Sequence, residues 1–377
     1  MHITIAERLR PFSHLPGTAF VVPGTCLSLE IFPAFSRVTD LTLALPVVLA
    51  EISVEINGPV DDFTVIQDLE NGSLRVFGTS SDGYFRYSVR GIENGKGIEV
   101  TVEKSPLNGI LFHSQGLWVS HNPSSIPPGG KIYFAETEIE EATPFQIAGL
   151  ERLSLGSHKL QDWELVRRRL SFTEIFPLWF RLGQMVPQPA SNELTGTALL
   201  LNDCRQSISA NAPEKILAEF KKLFLAGFEG VLSPQLVDTD YNGIKHHGND
   251  FSEAPDEEAT ALTILTEGAH LIRSLFVRQE NNIIHILPSI PPEFHCGRFL
   301  DVKCGNKGLL SLEWTKKSMR CMSFTAQEDQ KIAFTFSNHE KKCRLRTSTK
   351  DKGIEYIPGV ELNILAGQNY WFDNFQR

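Results

Sequence analysis

Ile98-Glu99-Val100-Thr101-Val102-Glu103 is the stretch that decides the fold class. Its apolar residues fall at every second position, the period of a strand with one face on a core and the other toward solvent. Reading back toward the N-terminus, the pattern recurs. Phe85-Arg86-Tyr87-Ser88-Val89 runs up to Gly91, and Leu74-Arg75-Val76-Phe77-Gly78 follows Asn71-Gly72. Ile52-Ser53-Val54-Glu55-Ile56 stops at Asn57-Gly58, a strong turn dipeptide. Cys26-Leu27-Ser28-Leu29-Glu30-Ile31-Phe32 places Leu27, Leu29 and Ile31 on one face, and Ala19-Phe20-Val21-Val22 ends at Pro23-Gly24. Short strands at this spacing, with Gly and Asn between them and no helical pattern interrupting, predict an N-terminal antiparallel β-sandwich over residues 1–150. A parallel α/β fold does not fit them. Pro123, Pro127, Pro128, Gly129 and Gly130 mark a loop, and the acidic run 136–141 reads as an edge or turn.

Reading forward, the period changes. In Gln161-Asp162-Trp163-Glu164-Leu165-Val166-Arg167-Arg168-Arg169 the residues Trp163, Val166 and Leu170 share a helix face. Pro213 opens a segment whose Ile216, Leu217, Phe220, Leu223 and Phe224 follow helical spacing, with Gly227 and Gly230 as stop signals. Residues 257–278 carry the stripe Ala261, Leu265, Ala269, Ile272 and Phe276, widened by Leu262 and Leu275. These segments predict a short helical middle domain over 151–282. The Asp-, Asn-, Gly- and His-rich stretch 233–255 reads as a long loop of the kind that often carries function. Strands return in Ile283-Ile284-His285-Ile286-Leu287-Pro288, Leu309-Leu310-Ser311-Leu312-Glu313-Trp314, Lys331-Ile332-Ala333-Phe334-Thr335-Phe336 and Cys343-Arg344-Leu345-Arg346. They predict a C-terminal β-sandwich-like domain over 283–377, so the expected class is α+β, mostly β.

The order of these C-terminal features is itself informative. An amphipathic helix is followed by Asn282-Ile283-Ile284-His285-Ile286-Leu287-Pro288-Ser289-Ile290-Pro291, then residues 297–305, then Leu312-Glu313-Trp314 and Cys343-Arg344-Leu345-Arg346. Residues 258–346 in this order resemble the C-terminal end of the α-L-fucosidase-like family of six-hairpin glycoside hydrolases. The general order of β domain, helical part and β domain is similar too. The resemblance implies glycoside hydrolysis in a barrel of twelve helices. At about 11 residues per helix and about 5 per connection, such a barrel needs about 190 residues. Residues 155–280 have room for four or five helices, which predicts a reduced barrel or a helical linker.

Composition bounds the partners. The chain has 377 residues, 41% hydrophobic and 21% charged, with a formal net charge of −9. The length suggests two or three domains, and the acidic balance argues against a nucleic-acid ligand. A locally basic stretch, 286–350, contains no dense cluster and reads as a solvated sheet face. Phe is abundant at 25, which suits half-buried pleated surfaces. The six cysteines form no C-x-x-C pair and fit no common zinc spacing, so they read as reduced, mostly buried thiols. No apolar run reaches signal-peptide or membrane-spanning length, so the expectation is a cytoplasmic protein with no membrane partner.

Hydrolysis of a glycoside needs two carboxylates flanking the bond. The candidates for catalysis are Asp162 and Glu164 beside Trp163, Asp238 and Asp240 beside Tyr241, and Glu267, which is three residues before His270. Trp163, His158, Tyr241, His246 and His247 are the candidates for substrate binding, since flat rings and imidazoles suit sugars. Each has a plainer reading. Asp162 fits a helix N-terminus, Asp238 and Asp240 a solvated turn, and Glu267 with His270 a helix-surface pair. His246 and His247 on an extended segment point to opposite sides, so they suit a metal poorly even with Asp250 nearby. No nucleophile elbow, P-loop, dinucleotide fingerprint or H-E-x-x-H occurs, and neither cofactor nor metal is expected. The sequence thus predicts a non-catalytic or degenerate hydrolase-like protein binding a carbohydrate or a protein partner. An active hydrolase and an assembly protein, such as a homo-oligomer, are the alternatives.

Overall fold

The alternating stretch forms the strand Gly97–Lys104, interior to a seven-stranded antiparallel sheet between Gly83–Gly91 and Lys131–Ala135. Glu99 departs from simple alternation. It is buried, and its carboxylate accepts from Lys131 Nζ at 2.8 Å and Thr101 Oγ1 at 3.2 Å, which makes its burial tolerable. A five-stranded sheet, in the order Phe112–Gly116, Val47–Val54, Phe35–Asp40, Leu27–Ile31 and Thr18–Val21, faces the first. Tyr87 of one sheet meets Phe112 of the other edge-on, with ring centroids 5.4 Å apart. The computed structural model describes residues 3–92, 95–106, 109–120, 125–137, 142–156, 159–190, 193–238, 259–336, 340–348 and 350–376.

A second pair of sheets closes the chain. Arg152–Leu155 forms one edge of a seven-stranded sheet, beside Gly297–Lys303, and Ile354–Tyr356 forms the other. The four-stranded partner runs Val277–Glu280, Ile283–Ile286, Gln330–Phe336 and Leu362–Ile364, with a parallel pairing between its second and third strands. Phe324 and Phe334 meet across these two sheets at 5.3 Å. The architecture is mostly-β α+β. The helical stretch is thus flanked by strands of the C-terminal sheets, because Arg152–Leu155 pairs forward with Gly297–Lys303, on the far side of the helices.

Five α-helices stand among the described residues: α1 (Trp163–Arg169), α2 (Phe172–Gly183), α3 (Leu200–Ser209), α4 (Pro213–Gly227) and α5 (Leu262–Phe276). The signalled segment 257–278 is shorter in the structure, with Arg278 in a strand and residues 257–258 outside the described set. Helices α2 and α5 cross closely. A Cβ on Gly183 would lie 2.4 Å from the Leu265 carbonyl oxygen, and one on Gly268 would lie 2.3 Å from the Trp179 ring. Only glycine allows this approach. One continuous apolar cluster runs from Leu9 through the helices to Phe372.

A charged joint sits where sheets and helices meet. The buried Glu151 carboxylate accepts from Arg273 Nε at 2.8 and 3.1 Å and from the Lys303 backbone N–H at 2.8 Å. The Glu151 carbonyl accepts from Arg181 Nη1 at 3.2 Å and Gln184 Nε2 at 3.1 Å. Arg181 Nε in turn donates to the Leu69 carbonyl of the N-terminal sandwich at 3.3 Å.

Candidate functional site

A polar cleft of about 370 Å³ lies where the N-terminal sandwich meets α1 and a short hairpin. Its floor is the edge strand Thr18–Val21 with its neighbour Leu27–Ile31. The hairpin Phe228–Glu229 and Ser233–Pro234 docks on that edge. Val231 N–H donates to the Ala19 carbonyl at 2.8 Å, and the two serine hydroxyls Ser28 and Ser233 meet at 3.0 Å. Gly230 makes the contact possible: its φ is +45°, and a Cβ there would lie 2.3 Å from the Ala19 oxygen.

Helix α1 forms the opposite wall, with Glu164 in its first turn and Arg167 one turn on. Asp162 holds this helix in place. It is the N-cap, and its Oδ1 accepts from the backbone N–H of Glu164 at 3.0 Å and Leu165 at 3.4 Å. Gln161 anchors the entry, since its carbonyl accepts from Phe12 N–H at 3.0 Å. The cleft therefore gathers Glu30, Glu164, Glu229 and Arg167 with the hydroxyls of Thr18, Ser28, Thr39 and Ser233. Glu30 is paired with Arg37. Arg167 has no ion pair with any described residue. Among the described residues no aromatic ring lines the cleft. Among the described residues no group of three or more His, Cys, Asp or Glu could hold a metal ion.

Of the described residues singled out in the sequence for catalysis or substrate binding, only Glu164 lines this cleft. Trp163 offers no sugar-stacking face, because it is 1% exposed and packs edge-on against Phe224 at 6.2 Å. Asp162 is spent on its cap. Asp238 is buried and engaged by a partner, away from the cleft. Glu267 lies on the α5 surface, where it pairs with Arg205 at 3.3 Å and His270 at 3.2 Å. His158, Asp240, Tyr241, His246 and His247 lie outside the described residues. Sequence reasoning passed over Glu30 and Glu229. The available signal was a lone charge in an apolar context: Glu30 in an alternating strand, and Glu229 between Phe228 and Gly230.

The C-terminal sequence motifs do structural work. Trp314 donates from Nε1 to the Phe294 carbonyl at 2.9 Å and packs on Gly297. Glu313 pairs with Arg320 at 2.9 Å and Arg298 at 3.4 Å. Arg344 and Arg346 both hold Asp373. Burial alone would raise the Asp373 carboxyl, but the hydrogen bonds and charges of the two arginines outweigh it and hold it below the usual carboxylate range. All six cysteines are free thiols, and all but Cys296 are buried. No helix among the described residues is long and apolar enough to cross a membrane. The chain matches no model of a known protein family, and no curated protein matches it.

Proposed function

We propose that this is a non-catalytic, glycoside-hydrolase-like protein of the cytoplasm that binds a carbohydrate in the cleft between the sandwich edge and α1. The observation that carries this reading is the lining. Carboxylate and hydroxyl groups from the sandwich sheet, α1 and the short hairpin converge on one concavity, and Arg167 adds a donor that no described side chain neutralises. Such a set hydrogen-bonds a polyhydroxylated ligand from several sides. No described residue offers an aromatic platform, so the described lining recognises a ligand by hydrogen bonds rather than stacking. Six unpaired thiols suit a reducing compartment.

Two further readings have their own support. Glu164 and Glu229 reach one cleft from different elements, which a hydrolase needs of its acid and base. The edge strand Ile354–Tyr356 and the turns after it expose Ile354, Ile357, Val360 and Leu365, which suits edge-to-edge self-association.

A glycan array followed by calorimetric titration tests the main reading, run beside chromogenic glycosides including fucosides. The expected result is saturable binding by wild type that Arg167→Ala and Glu229→Gln weaken about tenfold, a change of about 1.4 kcal/mol, with no turnover. Turnover abolished by Glu164→Gln or Glu229→Gln would move the reading to a hydrolase. Absence of both binding and turnover, with a concentration-dependent dimer in sedimentation, would move it to assembly.

A further inference from the structure

Among the described residues two Asn-Gly dipeptides occur whole, Asn57-Gly58 and Asn71-Gly72, and their surroundings are opposite. Asn57-Gly58 lies on the connection that crosses from Val47–Val54 of the five-stranded sheet to Asp61–Asp68 of the seven-stranded sheet. Both residues are exposed, and nothing lies within 4 Å of where a Gly58 Cβ would be. The Gly58 N–H has no acceptor among the described residues. In Asn71-Gly72 the glycine is buried, and a Cβ on it would lie 2.8 Å from Ile147. Asn71 is also held at two points. Its N–H donates to Asp68 Oδ1 at 3.1 Å, and its Nδ2 donates to Asp68 Oδ2 at 2.9 Å.

The bonds that Asn57 makes leave its reacting atoms free. Its main-chain carbonyl accepts from Ser81 N–H at 3.2 Å and from Ser81 Oγ at 3.1 Å. Two donors on one carbonyl draw electron density from the peptide group and polarise the Gly58 N–H that shares it. The side chain makes a single exposed bond, from Nδ2 to Asp82 Oδ2 at 2.7 Å. Asn57 thereby ties the crossing between the sheets to the turn that joins Ser73–Ser80 to Gly83–Gly91.

We infer that Asn57 is a site of spontaneous modification: the Gly58 nitrogen closes on its side chain to a succinimide, which hydrolyses to aspartate and isoaspartate. A solvent base takes the Gly58 proton, the nitrogen forms a bond to Asn57 Cγ, and the Cγ–Nδ2 bond breaks with release of ammonia. Water then opens the ring. Cleavage between Gly58 N and Cγ gives aspartate. Cleavage between Gly58 N and the main-chain carbonyl carbon of Asn57 gives isoaspartate, whose side-chain carbon now lies in the main chain. Nothing is oxidised or reduced. Both products lose the Nδ2 donor, and aspartate sets a carboxylate opposite Asp82, so an attraction becomes a repulsion and the crossing loosens. The site is independent of the carbohydrate reading, because none of these residues lines the cleft.

The test incubates the full chain in mildly alkaline buffer, folded and in urea, and follows each asparagine by peptide mapping with fragment-ion assignment. In the folded chain Asn57 is expected to convert at least about tenfold faster than Asn71. In urea the two are expected to convert at comparable rates. Gly58→Ala crowds the attacking nitrogen and is expected to slow conversion of Asn57 at least about tenfold. Asn57→Asp, which carries the charge of the product, is expected to lower the urea midpoint at low salt and to recover as salt screens the pair with Asp82. Adding Asp82→Asn to it is expected to restore the midpoint without salt. Equal rates at Asn57 and Asn71 in the folded chain overturn the inference, as does a Gly58→Ala variant that converts as fast as wild type. Should Gly58→Ala misfold, the wild-type rates at the two asparagines decide alone. A midpoint for Asn57→Asp equal to wild type at low salt overturns the loosening of the crossing.

Discussion

Glu151 and Glu164 are the same side chain in opposite situations. Glu151 lies at the joint of sheets and helices, buried, with its carboxylate committed to Arg273 and the Lys303 backbone. Glu164 stands exposed on the first turn of α1, at the mouth of a cleft, with no carboxylate partner among the described residues. The first has nothing left to offer a ligand, and removing it strands a half-buried cation. The second contributes little to the fold and retains its hydrogen-bonding capacity. Residue type says which chemistry is available, and the state of satisfaction says whether it is used for architecture or for recognition.

The largest effect is therefore expected at the joint. Glu151→Ala leaves Arg273 half-buried without its carboxylate and the Lys303 N–H without an acceptor. Breaking such a pair costs about 3 kcal/mol, read as a lower urea midpoint. A loss below about 1 kcal/mol would show that water replaces the carboxylate easily, and the contrast with Glu164 would weaken. The second effect concerns packing at the same centre. Gly268→Ala drives a Cβ toward the Trp179 ring, which is itself enclosed by Phe176, Phe220 and Phe228. Because that ring has no free side to move into, overpacking is expected to cost about 2 kcal/mol in thermal or urea unfolding.

How far this was legible follows from periodicity. Helices α1, α4 and α5 have a polar face, and their stripes are visible in the chain. Helix α2 is buried along nine consecutive residues, Ile175 through Gly183, although its apolar residues still follow the helical period. Pro177 inside it reads as a breaker. The helix on which the centre is built thus carries a stop signal in its own interior, and it was passed over in the sequence together with α3. The strand Asp61–Asp68 was hidden for a related reason, since most of its residues are buried on both faces. In the site, Glu164 was legible because it sits beside a helix start. Glu229 was not, because its place in the cleft depends on a hairpin docking against a strand 210 residues earlier, at Ala19, which no local pattern encodes.

A smaller, pH-dependent effect belongs to Asp373. Its folded-state carboxyl is held low by Arg344 and Arg346 against the opposing effect of burial. A depressed carboxyl contributes stability that is fully present above its unfolded value, near 4, and is lost as pH falls through the folded value. Wild type should therefore lose about 1 kcal/mol of this contribution below about pH 4, whereas Asp373→Asn should show a flatter acid limb in urea midpoints taken across pH. Parallel acid limbs for the two proteins would assign the acid response to other carboxylates.

The smallest stability effect, and the sharpest contrast with Glu151, is expected at Glu164. Glu164→Gln removes a charge near the positive end of a short helix that Asp162 already caps, so it should move stability by no more than about 0.5 kcal/mol. The same substitution changes an acceptor into a mixed donor and acceptor at the cleft mouth, where a bound polyol would meet it. A ligand that uses Glu164 should weaken several-fold while the unfolding curve stays in place. A substitution that shifts the unfolding curve as far as Glu151→Ala does would mean that the cleft wall is part of the architecture, and the assignment of function by unsatisfied carboxylates would fail at the position where it is most directly exposed to test.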